Sequence, residues 1–99
     1  MSQDIDIIEA EFYSVAVTHL KIVMYHPSDA IRVVQRCKEL NRRILGLDAF
    51  TVNEPYIQPS LEDSVDFSTS QSKDGFWAEA EEFLRRYLNS AFVFEVVYE

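Results

Sequence analysis

His19 and His26 lie seven residues apart. That spacing matches no metal-binding helix signature of the HExxH kind, and no GxSxG elbow accompanies it. The chain holds only two glycines, too few for a loop whose backbone cradles phosphates. Glu62, Asp63 and Asp66 gather three carboxylates in a short stretch, yet the alternating oxygen ligands, central glycine and terminal glutamate of a calcium loop are missing. The lone cysteine, Cys37, has no partner for a disulfide or a cysteine metal cluster, and its place among Val33, Val34 and Leu40 suits a small buried side chain. No enzyme, cofactor or metal is expected. The one catalytic arrangement the inventory permits would need His19 or His26 within hydrogen-bond reach of Asp63 or Asp66.

What the chain does concentrate is negative charge. It carries 17 acidic and 9 basic side chains, a formal net charge of -8 in 99 residues. A field of that sign repels phosphate backbones and anionic lipid, so neither direct nucleic-acid binding nor a membrane partner is expected. Residues 44–75, ILGLDAFTVNEPYIQPSLEDSVDFSTSQSKDG, hold Asp48, Glu54, Glu62, Asp63, Asp66 and Asp74 against one base, Lys73. Phe50, Tyr56 and Phe67 are interleaved with them. Carboxylates accept bidentate hydrogen bonds from arginine, which makes Asp48, Glu54, Glu62, Asp63 and Asp66 candidate contacts for a basic partner. Phe50, Tyr56 and Phe67 are the candidate apolar anchors. Each has a plainer reading: Asp63, Asp66, Ser60 and Ser64 can close turns locally, and Phe67 can tie its loop to the core.

The elements that must position these residues follow from pattern and punctuation. With 47% apolar and 13% aromatic residues, the chain suits one globular domain over 1–99. Ile8, Phe12, Val15 or Ala16, and Leu20 fit helical spacing, but residues 13–25 are dense in Val, Ile, Thr and Tyr, and a strand over about 12–25 after a short helical start is the preferred reading. Beyond His26-Pro27, Ser28 or Asp29 can cap a helix running to about Arg43, whose apolar positions Ala30, Ile31, Val33, Val34, Cys37 and Leu40 follow helical spacing. A strand follows from Ile44, with Asp48 on the face opposite Leu47. Asn53-Glu54-Pro55 signals a turn, residues 56–58 begin a returning strand that Pro59 confines to a sheet edge, and 65–67 form a further extended piece. Phe76, Trp77, Ala80, Phe83, Leu84, Tyr87 and Leu88 make the stripe of a second helix, in which Trp77 reads as core. AFVFEVVYE closes the chain as a strand. The resulting order is β-α-β-β-α-β: an α+β fold with a four-stranded, mostly antiparallel sheet and two helices on one face. MSQDIDIIEAE has neither a basic region nor an apolar stretch of signal-peptide length, and the run over 15–25 is too short and interrupted to span a bilayer, so a cytoplasmic protein is expected.

The junction DAIRVVQRCKELNRRILGLDAF (29–50) and the segment IQPSLEDSVDFS (57–68) resemble the small cytoplasmic immunity proteins that bacteria make against tRNase colicins and the nuclease tips of contact-dependent inhibition toxins. In that family a helix leads into an ILG(I/L)D-type strand, followed by an acidic, serine-containing loop, a second helix and a closing strand. The likeness spans roughly residues 28–98. It implies tight one-to-one binding of a cognate toxin nuclease domain: carboxylates take phosphate positions in the basic cleft that would hold tRNA, and exposed aromatics imitate bases. The alternative, from another class, is a non-enzymatic interaction module that pairs through its sheet edge and aromatic C-terminal strand. Such pairing would be insensitive to salt.

Overall fold

In the computed structural model, which describes residues 6–69 and 74–99, the first described element is a short, capped helix. The Asp6 carboxylate accepts the Ile8 N–H at 2.8 Å, satisfying a donor that a helix start leaves open, and α1 (Ile7–Glu11) follows. Ile8 faces inward and is fully buried. A 3-10 turn over Tyr13–Val15 leads into a hairpin of β1 (Val17–His19) and β2 (Ile22–Met24). This hairpin replaces the single strand expected over 12–25. Its reversal sits at Leu20, which takes φ 55 while 89% exposed, and a leucine there carries none of the glycine or asparagine signature of a tight turn. The expected helical start is α1; its part before Asp6 lies outside the described residues, as does Lys73.

Proline at the first helical position costs no hydrogen bond, and α2 (Pro27–Glu39) starts there. Ser28 and Asp29 therefore lie within the first turn, not at the cap, which is His26. The helix stops short of Arg43 because Asn41 takes φ 57; its N–H donates to the Lys38 carbonyl and that of Arg42 to the Cys37 carbonyl, closing the last turn. β3 (Ile44–Asn53) reverses at Glu54-Pro55 into β4 (Tyr56–Asp66), which joins the two expected extended pieces into one edge strand, the setting Pro59 requires. α3 (Trp77–Arg85) and β5 (Val93–Tyr98) complete the order.

β3 is the centre of a three-stranded antiparallel sheet, β4-β3-β5, while β1 and β2 form a two-stranded sheet of their own. The α+β class stands, but the four-stranded sheet is corrected. The reversal at Leu20 leaves β2 with three residues, and the hairpin meets β5 through one bridge, where Tyr25 and Phe94 exchange N–H···O=C bonds of 2.8 Å.

Alternation along β3 and β5 separates two faces. Leu47, Ala49, Phe94 and Val96 join Val33, Val34 and Cys37 of α2 and Ala80 and Leu84 of α3 in the main core. Phe50 and Val93 face the other way and are covered by Val17, Ile22 and Met24 of the hairpin. Trp77 packs against the main core, and its Nε1–H donates to the Arg42 carbonyl at 2.8 Å. Cys37 is fully buried, and burial pushes its thiol up to about 12. In the folded protein at pH ~8 it should therefore resist a colorimetric thiol reagent and react at full rate only after unfolding in guanidinium. Rapid labelling of the native chain would contradict that packing.

Candidate functional site

The β1–β2 hairpin covers one end of its sheet face, and the other end holds the candidate carboxylates. Leu47 pairs with Val65 and Ala49 with Ser60, so opposite the single residue Asp48 the edge strand inserts residues 61–64. Side chains close this bulge. Ser64 Oγ accepts the Ala49 N–H at 2.9 Å and donates to the Ser60 carbonyl at 2.7 Å. Ser60 Oγ donates to the Asp63 carboxylate at 2.6 Å, and the Tyr87 hydroxyl donates to it at 2.8 Å. These two donors hold the Asp63 carboxyl below the usual carboxylate range. The bulge turns outward Leu61, 89% exposed, and Glu62.

On the sheet face away from α2 and α3, pairing sets Asp48 directly opposite Glu95 of β5, and Asp66 opposite Gly46, whose other neighbour is Val97. Partial burial raises the Asp48 carboxyl, and the charge of Asp66 adds to it. Burial likewise raises Glu95, with Asp48 and Glu9 adding. Asp66 moves the other way, because the Ser68 hydroxyl and N–H both donate to its Oδ1. Among the described residues the ion pairs are Arg32–Asp29, Arg36–Glu11, Arg36–Glu39, Arg42–Asp6 and Arg85–Glu81. All involve helices or their flanks, and none reaches Asp48, Asp66 or Glu95. These pairs lie on the helical side, and none of them offsets the carboxylates of the open sheet face.

Leu45, Gly46, Asp48, Leu61, Asp66 and Val97 line a groove of about 450 Å3 on this face. Gly46 is fixed there by close approach, since a Cβ would stand 2.9 Å from the Val65 carbonyl oxygen. Gly46→Ala should therefore push β4 outward and lower stability by about 1–3 kcal/mol in urea denaturation. An unchanged midpoint would mean that the edge strand yields freely.

Of the eight residues singled out in the sequence, Asp48 and Asp66 meet on this face. Glu62 is exposed on the bulge, whereas Glu54 and Tyr56 are exposed at the β3–β4 turn, Tyr56 by 73%. Asp63 is engaged by the hydroxyls of Ser60 and Tyr87, whereas the local turn closure falls to Asp66, which accepts the Ser68 N–H. Phe50 is a correction: it is 8% exposed, because it sits at the end of the face that the hairpin covers, against Met24 and Val93. Phe67 stacks on Phe76 at 4.8 Å between centroids and packs against the main core, so it anchors the chain after β4. Glu95 escaped the sequence reading. Its signal was a carboxylate in step with Val93 and Val97, hence on the face opposite Phe94 and Val96.

The hydrogen-bond partners of Asp63 and Asp66 are two serines and a tyrosine, so the acid–histidine arrangement does not form among the described residues. Among those residues no group of three or more His, Cys, Asp or Glu side chains is placed to hold a metal ion, and no helix is long and apolar enough to cross a membrane. No protein-family model matches this chain, and no curated protein matches it.

Proposed function

We propose that this chain is a cytoplasmic immunity protein, without catalytic activity, that binds a cognate bacterial nuclease toxin one to one and covers its basic RNA-binding cleft, the toxin being a tRNA-cleaving ribonuclease. The observation that carries this reading is the open face of the β4-β3-β5 sheet, where Asp48, Glu95 and Asp66 stand together and no ion pair among the described residues reaches them. Like charges opposite one another in a sheet disfavour the free protein. A partner's arginines and lysines relieve that repulsion, and complementary fields speed the capture of a toxin before it cleaves its substrate. Tyr56 and Glu54 are exposed at the β3–β4 turn, past the end of the face that the hairpin covers, and are separate from the groove.

The alternative of pairing through a sheet edge draws less support. Phe92 and Phe94 pack against Tyr87, and Phe94 also against Phe83, so these aromatics of the C-terminal segment are used internally. Pro59 and the bulge interrupt β4, the means by which exposed edges are kept from pairing.

The test is co-expression with the nuclease domain encoded beside this gene, followed by purification of the pair. Growth should be restored, a stable complex should form, and association should slow by about tenfold or more between low and high salt. A soluble, folded protein that neither rescues growth nor binds the nuclease would overturn the proposal.

A further inference from the structure

We propose that the groove beside the β4 bulge seats one arginine side chain of the partner protein, its methylenes against Leu61 and Val97 and its guanidinium between Asp48 and Asp66. This deepens the functional reading above and rests on the partner being a basic protein.

The groove has the two chemistries that such a side chain presents. Leu45, Leu61 and Val97 supply aliphatic walls, and Asp48 and Asp66, on neighbouring strands, supply the charge. The site is also set in advance. Ser68 fixes one oxygen of Asp66, and the bonds among Ser60, Asp63, Ser64 and Tyr87 fix the bulge that holds Leu61 out at 89% exposure. Gly46, without a side chain, leaves the groove open between β4 and β5. A guanidinium is planar and weakly hydrated, so it can fork between two carboxylates beside apolar walls, whereas an ammonium is a strongly hydrated point charge. Glu95, opposite Asp48, adds to the attracting field, while Glu9 and Lys21 share a separate crevice with Glu95.

The probe is N-acetyl-arginine amide, titrated into the full chain and followed by amide NMR, with the neutral isostere N-acetyl-citrulline amide as control. Saturable shifts should appear at Gly46, Asp48, Leu61, Asp66 and Val97, with a dissociation constant on the order of 10 mM. The citrulline derivative should give none, and the lysine derivative should bind more weakly. Asp48→Asn should weaken arginine binding by about fivefold or more, as should Leu61→Ser, a change at an exposed site that leaves the fold intact. Shifts spread evenly over the acidic residues of the surface, equal shifts with citrulline, or indifference to both variants would overturn the proposal. If arginine binds here but the nuclease neither binds nor is neutralised, the functional reading fails and the seat stands. If the nuclease complex forms with wild-type affinity in Leu61→Ser and the arginine probe does not bind, the seat fails alone.

Discussion

Asp48→Asn should make the free protein more stable and its complex with the nuclease weaker. Asp48 and Glu95 face each other across β3 and β5, and a directly opposed like-charged pair costs roughly 0.2–1 kcal/mol. The lower end applies here, because the Asp48 side chain, although partly desolvated by its sheet neighbours, remains open to water that screens it. The pH dependence fixes the sign. Both carboxyls are raised in the folded state, so folding binds protons at these sites, and their contribution is favourable below the ordinary carboxylate range and lost as pH rises through the raised values. The gain from Asp48→Asn should therefore appear at pH ~7 and vanish near pH ~3 in thermal melts. In the complex the same change removes one acceptor from a desolvated, charge-assisted contact, at a cost of about 2–4 kcal/mol, or ~30- to 1000-fold in affinity. Opposite signs on stability and binding distinguish a binding residue from a structural one. A loss of both would return Asp48 to the scaffold.

Phe94→Ala should be among the most damaging single truncations of the fold. The ring is fully buried and lies 5.3 Å from Tyr87, 6.3 Å from Phe83 and 6.4 Å from Phe92 between centroids. The same residue carries the backbone bridge to Tyr25 through which the hairpin meets the sheet. Deleting the ring should cost about 3–5 kcal/mol, a large part of the ~5–15 kcal/mol that holds a domain of this size together. Urea denaturation should show the drop, and the Met24, Phe50 and Val93 cluster beneath the hairpin should loosen with it. A cost below about 1 kcal/mol would mean that the helices are held on the sheet by contacts other than this ring.

Local pattern revealed much of this fold. The helical spacing of Ile31, Val34 and Cys37, and of Ala80 and Leu84, identified α2 and α3 because their buried stripes face one sheet. Strand alternation placed Asp48 opposite Leu47 for the same reason, and Pro59 marked the edge. The misses share a physical cause, which is that they depend on partners distant in sequence. No local signal tells that Ser64 replaces a strand neighbour for the Ala49 N–H, or that Tyr87 draws in Asp63. Phe50 reads as an exposed ring unless the hairpin above it is known, and that hairpin turns at a leucine. Glu95 becomes a candidate only once β5 is laid beside β3.

Two variants with equal net charge give the most direct measurement. Asp48→Lys/Asp66→Lys reverses the open sheet face, and Glu79→Lys/Glu82→Lys reverses exposed positions on α3 by the same amount. Calorimetric titration with the nuclease domain should show a loss of about 100-fold or more for the first variant and about threefold or less for the second. Equal losses would mean that bulk charge alone attracts the partner, and a larger loss for the helix variant would place the interface on the opposite side of the molecule.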